Sequence, residues 1–297
     1  MVIGNNIIFS DDTGTIFNIN DQGRIIWKKN IYKKVYKKIY KNLLLSIYED
    51  NIYIADNVGF IYSINLINGT LTWIKNYGVP IKSNIKVFEN KIFLIDHDNK
   101  ILCLSSKDGS LIWNILSMGS FIKSQNLLSL AITQTGDLVA ITSSADIYKI
   151  KSKTGDIIWS RNTADSLYVD ATDFFISSEI VIADDKIFLS SGSSTFSLSL
   201  VNGETIWKKQ VKSISAPIIS GKNIYIVNED GYFVILDKNT GEIISSTNIL
   251  KVLKKKKKKT KVVNFIMGSD KIYSMTLNGF LIVSSATSGK PEYFKKI

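Results

Sequence analysis

The chain is 297 residues long, enough for two average domains or one large repeat array, and its composition of 45% hydrophobic and 21% charged residues excludes wholesale disorder. Its single cysteine, Cys103, excludes an intramolecular disulfide and a Cys-rich metal site. The formal charge of +11 raises nucleic acid or an anionic surface as partners, but its placement weakens both. Seven lysines lie between Lys28 and Lys41 and eight between Lys251 and Lys261, with no carboxylate in either stretch, and without them the remainder is mildly acidic. Only Arg24 and Arg161 are arginines, the side chain favoured for bidentate reading of phosphates and bases, so no nucleic-acid partner is expected. Apolar runs such as Leu43 to Tyr48 and Leu127 to Ile132 fall short of the roughly 18 residues a spanning helix needs. Met1 to Phe9 lacks the charged and apolar pattern of a signal peptide.

In chain order, the first β-rich pair is Ile7-Ile8-Phe9 and Thr15 to Asn20, separated by the polar turn Asp11-Asp12-Thr13-Gly14. Gly23 and Trp27 follow it. The segment Ile31 to Tyr40 alternates apolar residues with lysines and reads as a loop with one helical turn joining two strands. A basic amphipathic helix on an anionic surface is the alternative. The same unit then recurs. Ile52-Tyr53-Ile54, Ile92-Phe93-Leu94, Leu138-Val139-Ala140, Ile187-Phe188-Leu189, Ile224-Tyr225-Ile226 and Ile272-Tyr273-Ser274 each precede a second run, at Phe60 to Asn65, Lys100 to Ser105, Asp146 to Lys151, Thr195 to Leu200, Tyr232 to Asp237 and Phe280 to Ser285. A Gly-x-x-x-Trp motif closes each of the first five repeats: Gly23 to Trp27, Gly69 to Trp73, Gly109 to Trp113, Gly155 to Trp159 and Gly203 to Trp207. Degenerate copies follow at Gly241 and Gly289, and the glycines are 46, 40, 46, 48, 38 and 48 residues apart. A further strand fits ahead of the pair in repeats two to seven, as at Asn84 to Glu89 and Ala216 to Ser220, whereas the first repeat is expected to lack its innermost strand.

About four strands per repeat with no helices between them is the arithmetic of a β-propeller blade, whose single twisted sheet buries too little apolar surface until it stacks on neighbours. Fold class is therefore all-β, a propeller of four-stranded blades with seven countable repeats, forming one domain over residues 1–297. Each glycine is expected to allow the positive-φ turn between third and fourth strands. Each tryptophan is expected to start the outer strand and pack on the neighbouring blade.

No Trp-Asp, Gly-His or Gly-Gly pair occurs, so the WD40 and kelch signatures are missing. An alternating strand such as Phe60-Ile61-Tyr62-Ser63-Ile64-Asn65, then Asn68-Gly69 and Trp73, resembles the pyrroloquinoline-quinone (PQQ) enzyme repeat over essentially the whole chain. Two branches of that family matter. Quinoprotein dehydrogenases bind PQQ and Ca²⁺ and carry a disulfide of adjacent cysteines, which Cys103 alone cannot form. The long connections after Trp113 and Trp159 look instead like the outer-membrane β-barrel assembly factor branch, BamB, a non-catalytic lipoprotein scaffold. That resemblance implies no cofactor and places the protein on the periplasmic face of the outer membrane. It implies binding to the periplasmic domains of the BamA-like barrel-inserting subunit, and contact with nascent outer membrane proteins. Membrane association would come only through a lipid anchor that this sequence lacks. The implied partner-binding residues are Phe121, Ile122 and Lys123 on one loop, with Asp173 on the next and Asp170 as its alternative. Because that family usually has eight blades, the chain is expected to be truncated at both ends. A PQQ-dependent dehydrogenase and a lysine-rich binder of anionic partners are the rival readings.

Among residues that could carry chemistry, Asp96-His97-Asp98 is the one acidic and imidazole cluster, and its position between strands reads as a turn. Asp11-Asp12, Asp184-Asp185 and Glu229-Asp230 read the same way, and Cys103 reads as a buried apolar residue within a strand. No catalytic residue and no metal site is expected.

Overall fold

The computed structural model describes residues 1–36, 38–117, 127–163, 177–253 and 260–297. Two compact units emerge, one formed by Met1–Leu138 with Lys151–Asp156, the other by Val139–Ile150 with Ile157–Ile297. The chain is all-β: seven four-stranded antiparallel sheets that form a β-propeller, each running in sequence order from its first strand to its fourth.

In the first unit, blade one comprises β1 (Val2–Ile3), β2 (Asn6–Ser10), β3 (Ile16–Asn20) and β4 (Ile25–Lys29). Blade two comprises β5 (Leu43–Tyr48), β6 (Asn51–Asp56), β7 (Phe60–Asn65) and β8 (Leu71–Asn76). Blade three comprises β9 (Lys86–Phe88), β10 (Lys91–Ile95), β11 (Lys100–Ser105) and β12 (Leu111–Leu116). Blade four comprises β13 (Ser129–Ile132), β14 (Leu138–Ile141), β15 (Asp146–Ile150) and β16 (Ile157–Asn162). In the second unit, blade five comprises β17 (Val181–Ala183), β18 (Lys186–Ser191), β19 (Ser194–Ser199) and β20 (Thr205–Lys209). Blade six comprises β21 (Ile218–Ser220), β22 (Asn223–Val227), β23 (Tyr232–Asp237) and β24 (Ile243–Asn248). Blade seven comprises β25 (Val262–Gly268), β26 (Lys271–Thr276), β27 (Phe280–Ser285) and β28 (Pro291–Lys296).

The first blade corrects the expectation that its innermost strand is missing. Val2 and Ile3 pair with Ile7 and Asn6, and the terminal amine of Met1 donates to the Ile8 carbonyl at 2.7 Å. A two-residue strand turned by Gly4 at φ +54° is too short to show an alternating pattern, so nothing in the sequence marked it.

Second and third strands read as nearly unbroken apolar runs because both of their faces are buried. Ile52 and Ile54 of β6 join Ile8, Ile16 and Tyr62 in one cluster, while the alternate residues Tyr53 and Ala55 join Ile92, Leu94 and Leu102 in the next. In the second unit, Ile224 and Ile226 pack with Phe188, and Tyr225 and Val227 pack with Ile272 and Ile282. A period of two therefore sends successive side chains of one strand into two different inter-blade cores.

The glycine and tryptophan repeat is the link between successive blades. Gly69, Gly109, Gly155, Gly203 and Gly241 all turn with positive φ, and a Cβ at any of them would come within about 3 Å of the tryptophan ring of the preceding repeat. The indole N–H groups of Trp27, Trp73, Trp113, Trp159 and Trp207 donate to the carbonyls of Leu66, Ser106, Ser152, Leu200 and Lys238, each three residues before one of those glycines. The tryptophan does not start its strand as expected. It is the third strand residue and follows a register shift that recurs in all seven blades, as between Asn18 and Ile19 opposite β4 and between Cys103 and Leu104 opposite β12. Such a bulge leaves one residue unpaired and re-aims the next side chain. Ser245 stands at the tryptophan position of repeat six, and there Gly289 meets Phe233 and Thr247 instead.

Candidate partner-binding surface

Among the described residues, the connection from an outermost strand to the innermost strand of the next blade starts or ends beside a second-to-third-strand turn at several places. In the first unit, Lys41 N–H donates to the Asp12 carbonyl and Tyr77 N–H to that of Gly59; in the second, Thr163 N–H donates to that of Ala145. These connections are the longest stretches of sequence between strands, and connections on a rigid scaffold are where binding residues concentrate.

The residues expected to meet a partner all fall on two such connections and lie outside the described residues: Phe121, Ile122 and Lys123 between β12 and β13, and Asp170 and Asp173 between β16 and β17. Both stems are described. Following the first loop, Leu128 N–H donates to the Lys82 carbonyl, and Asn84 brackets Leu130 with its Oδ1 accepting at 2.8 Å and its Nδ2 donating at 3.2 Å. Beside the second, the Thr163 hydroxyl donates to the Ala145 carbonyl at 3.0 Å, and the Ser178 hydroxyl accepts from Ser190 N–H at 2.8 Å. Side-chain hydrogen bonds thus fix where each loop begins or ends.

A third connection, between β4 and β5, is fully described except for Lys37 and carries the first lysine cluster. It is a loop with a single 3₁₀ turn, Lys34–Tyr36, as the sequence indicated. Three aromatic rings fasten it to blade two: Phe60 meets Tyr32 and Tyr36 edge-on, at centroid distances of 6.1 and 5.3 Å. The Tyr32 hydroxyl donates to Oδ2 of the fully buried Asp56, whose Oδ1 accepts from the N–H groups of Val58, Gly59 and Phe60. Burial, the neighbouring Tyr62 and the bond to Asp56 push the Tyr32 phenol well above its usual pKa, so it stays a donor. Lys41 is buried, with its ammonium over the Tyr32 ring and donating to the Tyr36 carbonyl. Under this loop lies a cavity of about 440 Å³ lined by Ile31, Tyr32, Val35, Tyr36, Phe60 and Ile74, with Lys33 and Asn76 at its polar side. Sequence reading missed the cavity, although the tyrosines spaced four apart at 32 and 36, both in its lining, were its visible trace.

The acidic clusters form turns. Asp96 is buried, accepts from the N–H groups of Asp98 and Lys100 at 2.8 and 2.9 Å, and has its pKa raised by burial. Asp184 and Asp185 occupy the positive-φ positions of a hairpin, and Glu229 pairs with Lys261 at 2.7 Å. Cys103 is fully buried, and burial pushes its thiol up to about 12. Among the described residues no three His, Cys, Asp or Glu side chains stand close enough to hold a metal ion. The residues present do not fit a PQQ and Ca²⁺ site, since a lone buried cysteine cannot build the disulfide ring and, among the described residues, no carboxylate cluster stands ready to hold the cation.

Comparison with known proteins gives a consistent picture. The family model of outer membrane protein assembly factor BamB matches residues 12–247. The outer membrane protein assembly factor BamB of Shewanella oneidensis is 25% identical over 185 residues, covering 57% of this chain and 44% of the relative. That of Yersinia pestis is 18% identical over 258 residues, covering 83% of this chain and 65% of the relative. The chain thus spans less than two thirds of the length of these two relatives. Among solved structures, BamB from Moraxella catarrhalis superposes with a TM-score of 0.83 at 13% identity, over 99% of this chain and 86% of that one. Quinohemoprotein alcohol dehydrogenase from Comamonas testosteroni superposes at 0.77 with 10% identity, over 99% of this chain and 66% of that one. At such identities the superpositions establish the fold alone, and one fold carries both an assembly factor and a dehydrogenase.

Proposed function

From the premise that the chain belongs to the BamB family of outer membrane protein assembly factors, we propose that it is a non-catalytic scaffold of the outer-membrane β-barrel assembly machinery. The observation that carries this reading is the family match over residues 12–247.

On this reading the protein works at the periplasmic face of the outer membrane. It holds the periplasmic domains of a BamA-like barrel-inserting subunit and aids the insertion of nascent outer membrane proteins. The mechanism is geometric: blades linked by tryptophan and glycine contacts act as a stiff scaffold whose connections meet the partner. Phe121 and Ile122 supply apolar anchors, Lys123 and Asp173 supply opposite charges that set orientation, and Asp170 is the alternative acid. The pinned stems at Asn84 and Thr163 support this assignment because they limit where the first loop ends and the second begins.

Depleting the protein in its own cells tests the reading. Folded outer-membrane barrels should fall and unfolded precursors accumulate, and unchanged barrel levels on full depletion would overturn it. Reconstitution with PQQ and Ca²⁺ should give no alcohol-dependent dye reduction, whereas turnover would favour the dehydrogenase reading.

A further inference from the structure

The β4–β5 connection combines features that the assembly reading does not use. Its cavity is concave, apolar and partly aromatic, and of a size for one or two side chains. The wall formed by Val35 is 76% exposed, and Lys33, Lys34 and Lys38 are exposed beside it. No carboxylate occurs between Lys28 and Lys41, and the acids of the neighbouring turns are partly committed: Asp56 is taken by Tyr32 and its own turn, and Asp11 accepts from Thr13 and Thr15. Asp12 is the exposed acid on the adjacent turn. The loop is tied down by the Tyr32–Asp56 bond and the Lys41 contacts, so the lysines are held around an existing cavity.

We propose that this cavity is a docking site for an acidic peptide segment, one apolar side chain of which enters between Val35, Tyr36, Phe60 and Ile74 while its flanking carboxylates meet Lys33 and Lys34. The site stands on a different connection from Phe121 and Asp173 and does not rest on the barrel-assembly reading. Concavity selects a peptide over a membrane, because a flat bilayer surface would leave the cavity unfilled. Ile39 and Tyr40, 44% and 66% exposed beside the same lysines, make an anionic bilayer the rival that the test must separate.

The test is fluorescence anisotropy of the whole chain with labelled nine-residue peptides rich in Asp and Glu, carrying Leu, Phe, Tyr or Ala at the centre, alongside Lys-flanked versions. Acidic peptides with an apolar centre should bind at least about tenfold more tightly than Ala-centred or Lys-flanked ones, and more weakly as salt rises. Val35→Asp and the double variant Lys33→Glu/Lys34→Glu change exposed side chains, so both should unfold like the parent chain while each losing roughly tenfold or more in binding. Absence of binding by every acidic peptide overturns the proposal, as does affinity indifferent to the central residue or to Val35→Asp. Vesicles with roughly 30% phosphatidylglycerol form the last arm. Binding to them that depends on Lys33 and Lys34, with no peptide bound, would assign the surface to the membrane and also overturn it.

Discussion

Alanine at Gly109 and alanine at Gly23 make nearly the same change in backbone chemistry but meet different surroundings. Both glycines turn with positive φ, +71° and +77°, where an L side chain costs about 1–2 kcal/mol. Around Gly23 nothing lies within 4 Å of the new Cβ, so Gly23→Ala should cost only that strain. At Gly109 the Cβ would stand 2.5 Å from the Trp73 ring, whose indole N–H is fixed to the Ser106 carbonyl at 2.8 Å. The ring cannot withdraw without losing that bond, so overpacking adds roughly 1–3 kcal/mol, for a total of about 2–5 kcal/mol. Equilibrium urea unfolding, followed by both tryptophan fluorescence and far-UV circular dichroism, measures the difference. In a Trp73→Ala background the clash disappears, and Gly109→Ala should fall to the cost seen at Gly23. Equal costs at the two glycines, or a Gly109→Ala penalty that survives removal of Trp73, would refute the view that the repeat motif locks one blade to the next.

Two further predictions concern titration. Cys103, fully buried with its thiol pushed up to about 12, should resist alkylation at pH 8 in the native protein and react once the chain is unfolded; rapid native labelling would contradict its burial. Five carboxylates titrate lower in the folded chain than unfolded: Asp108, down to about 2 through bonds from Ser110, Asp184 through Lys238, Glu229 through Lys261, Asp237 through Thr240 and Asp11 through bonds from Thr13 and Thr15. The unfolded state therefore binds more protons, and stability present above pH 4.5 should decline as pH falls toward 2. Asp96, raised by burial, opposes this trend but stands alone against the five, and salt should weaken the effect because Asp108 and Asp184 lie at the surface. A midpoint of urea unfolding that rose between pH 4.5 and 2.5 would contradict the assignment.

Much of the fold was legible because its repeating unit leaves a large mark: a glycine in each of seven repeats, spaced 38–48 residues, a tryptophan four residues on in the first five, and apolar runs whose length matches strands buried on both faces. What that mark does physically was less legible. Packing of each tryptophan on the neighbouring blade was expected and is seen, but its particular partner, as Trp27 on Gly69, is a long-range contact that spacing within one motif does not reveal. The bulge ahead of each tryptophan was invisible because an unpaired residue such as Ile26 is as apolar as its paired neighbours. Strand β1 escaped for want of length. Turn chemistry at Asp96, Asp184 and Glu229 was read directly, since Asp, Glu and Asn at strand ends reveal themselves by composition. The cavity beneath Tyr32 and Tyr36 depended on Phe60 and Ile74 from the next blade, and no local pattern joins those to the lysine-rich segment.

The most direct test of the proposed function is a binding titration of the purified chain against the periplasmic domains of the barrel-inserting subunit from the same organism, with Asp173→Arg and Phe121→Ala run in parallel. Saturable binding that weakens by about tenfold or more in either variant is the predicted result, in line with the loss of an interface anchor. No binding by the parent chain, with a longer exported form tested beside it, would contradict the scaffold reading and leave a propeller whose partner lies elsewhere.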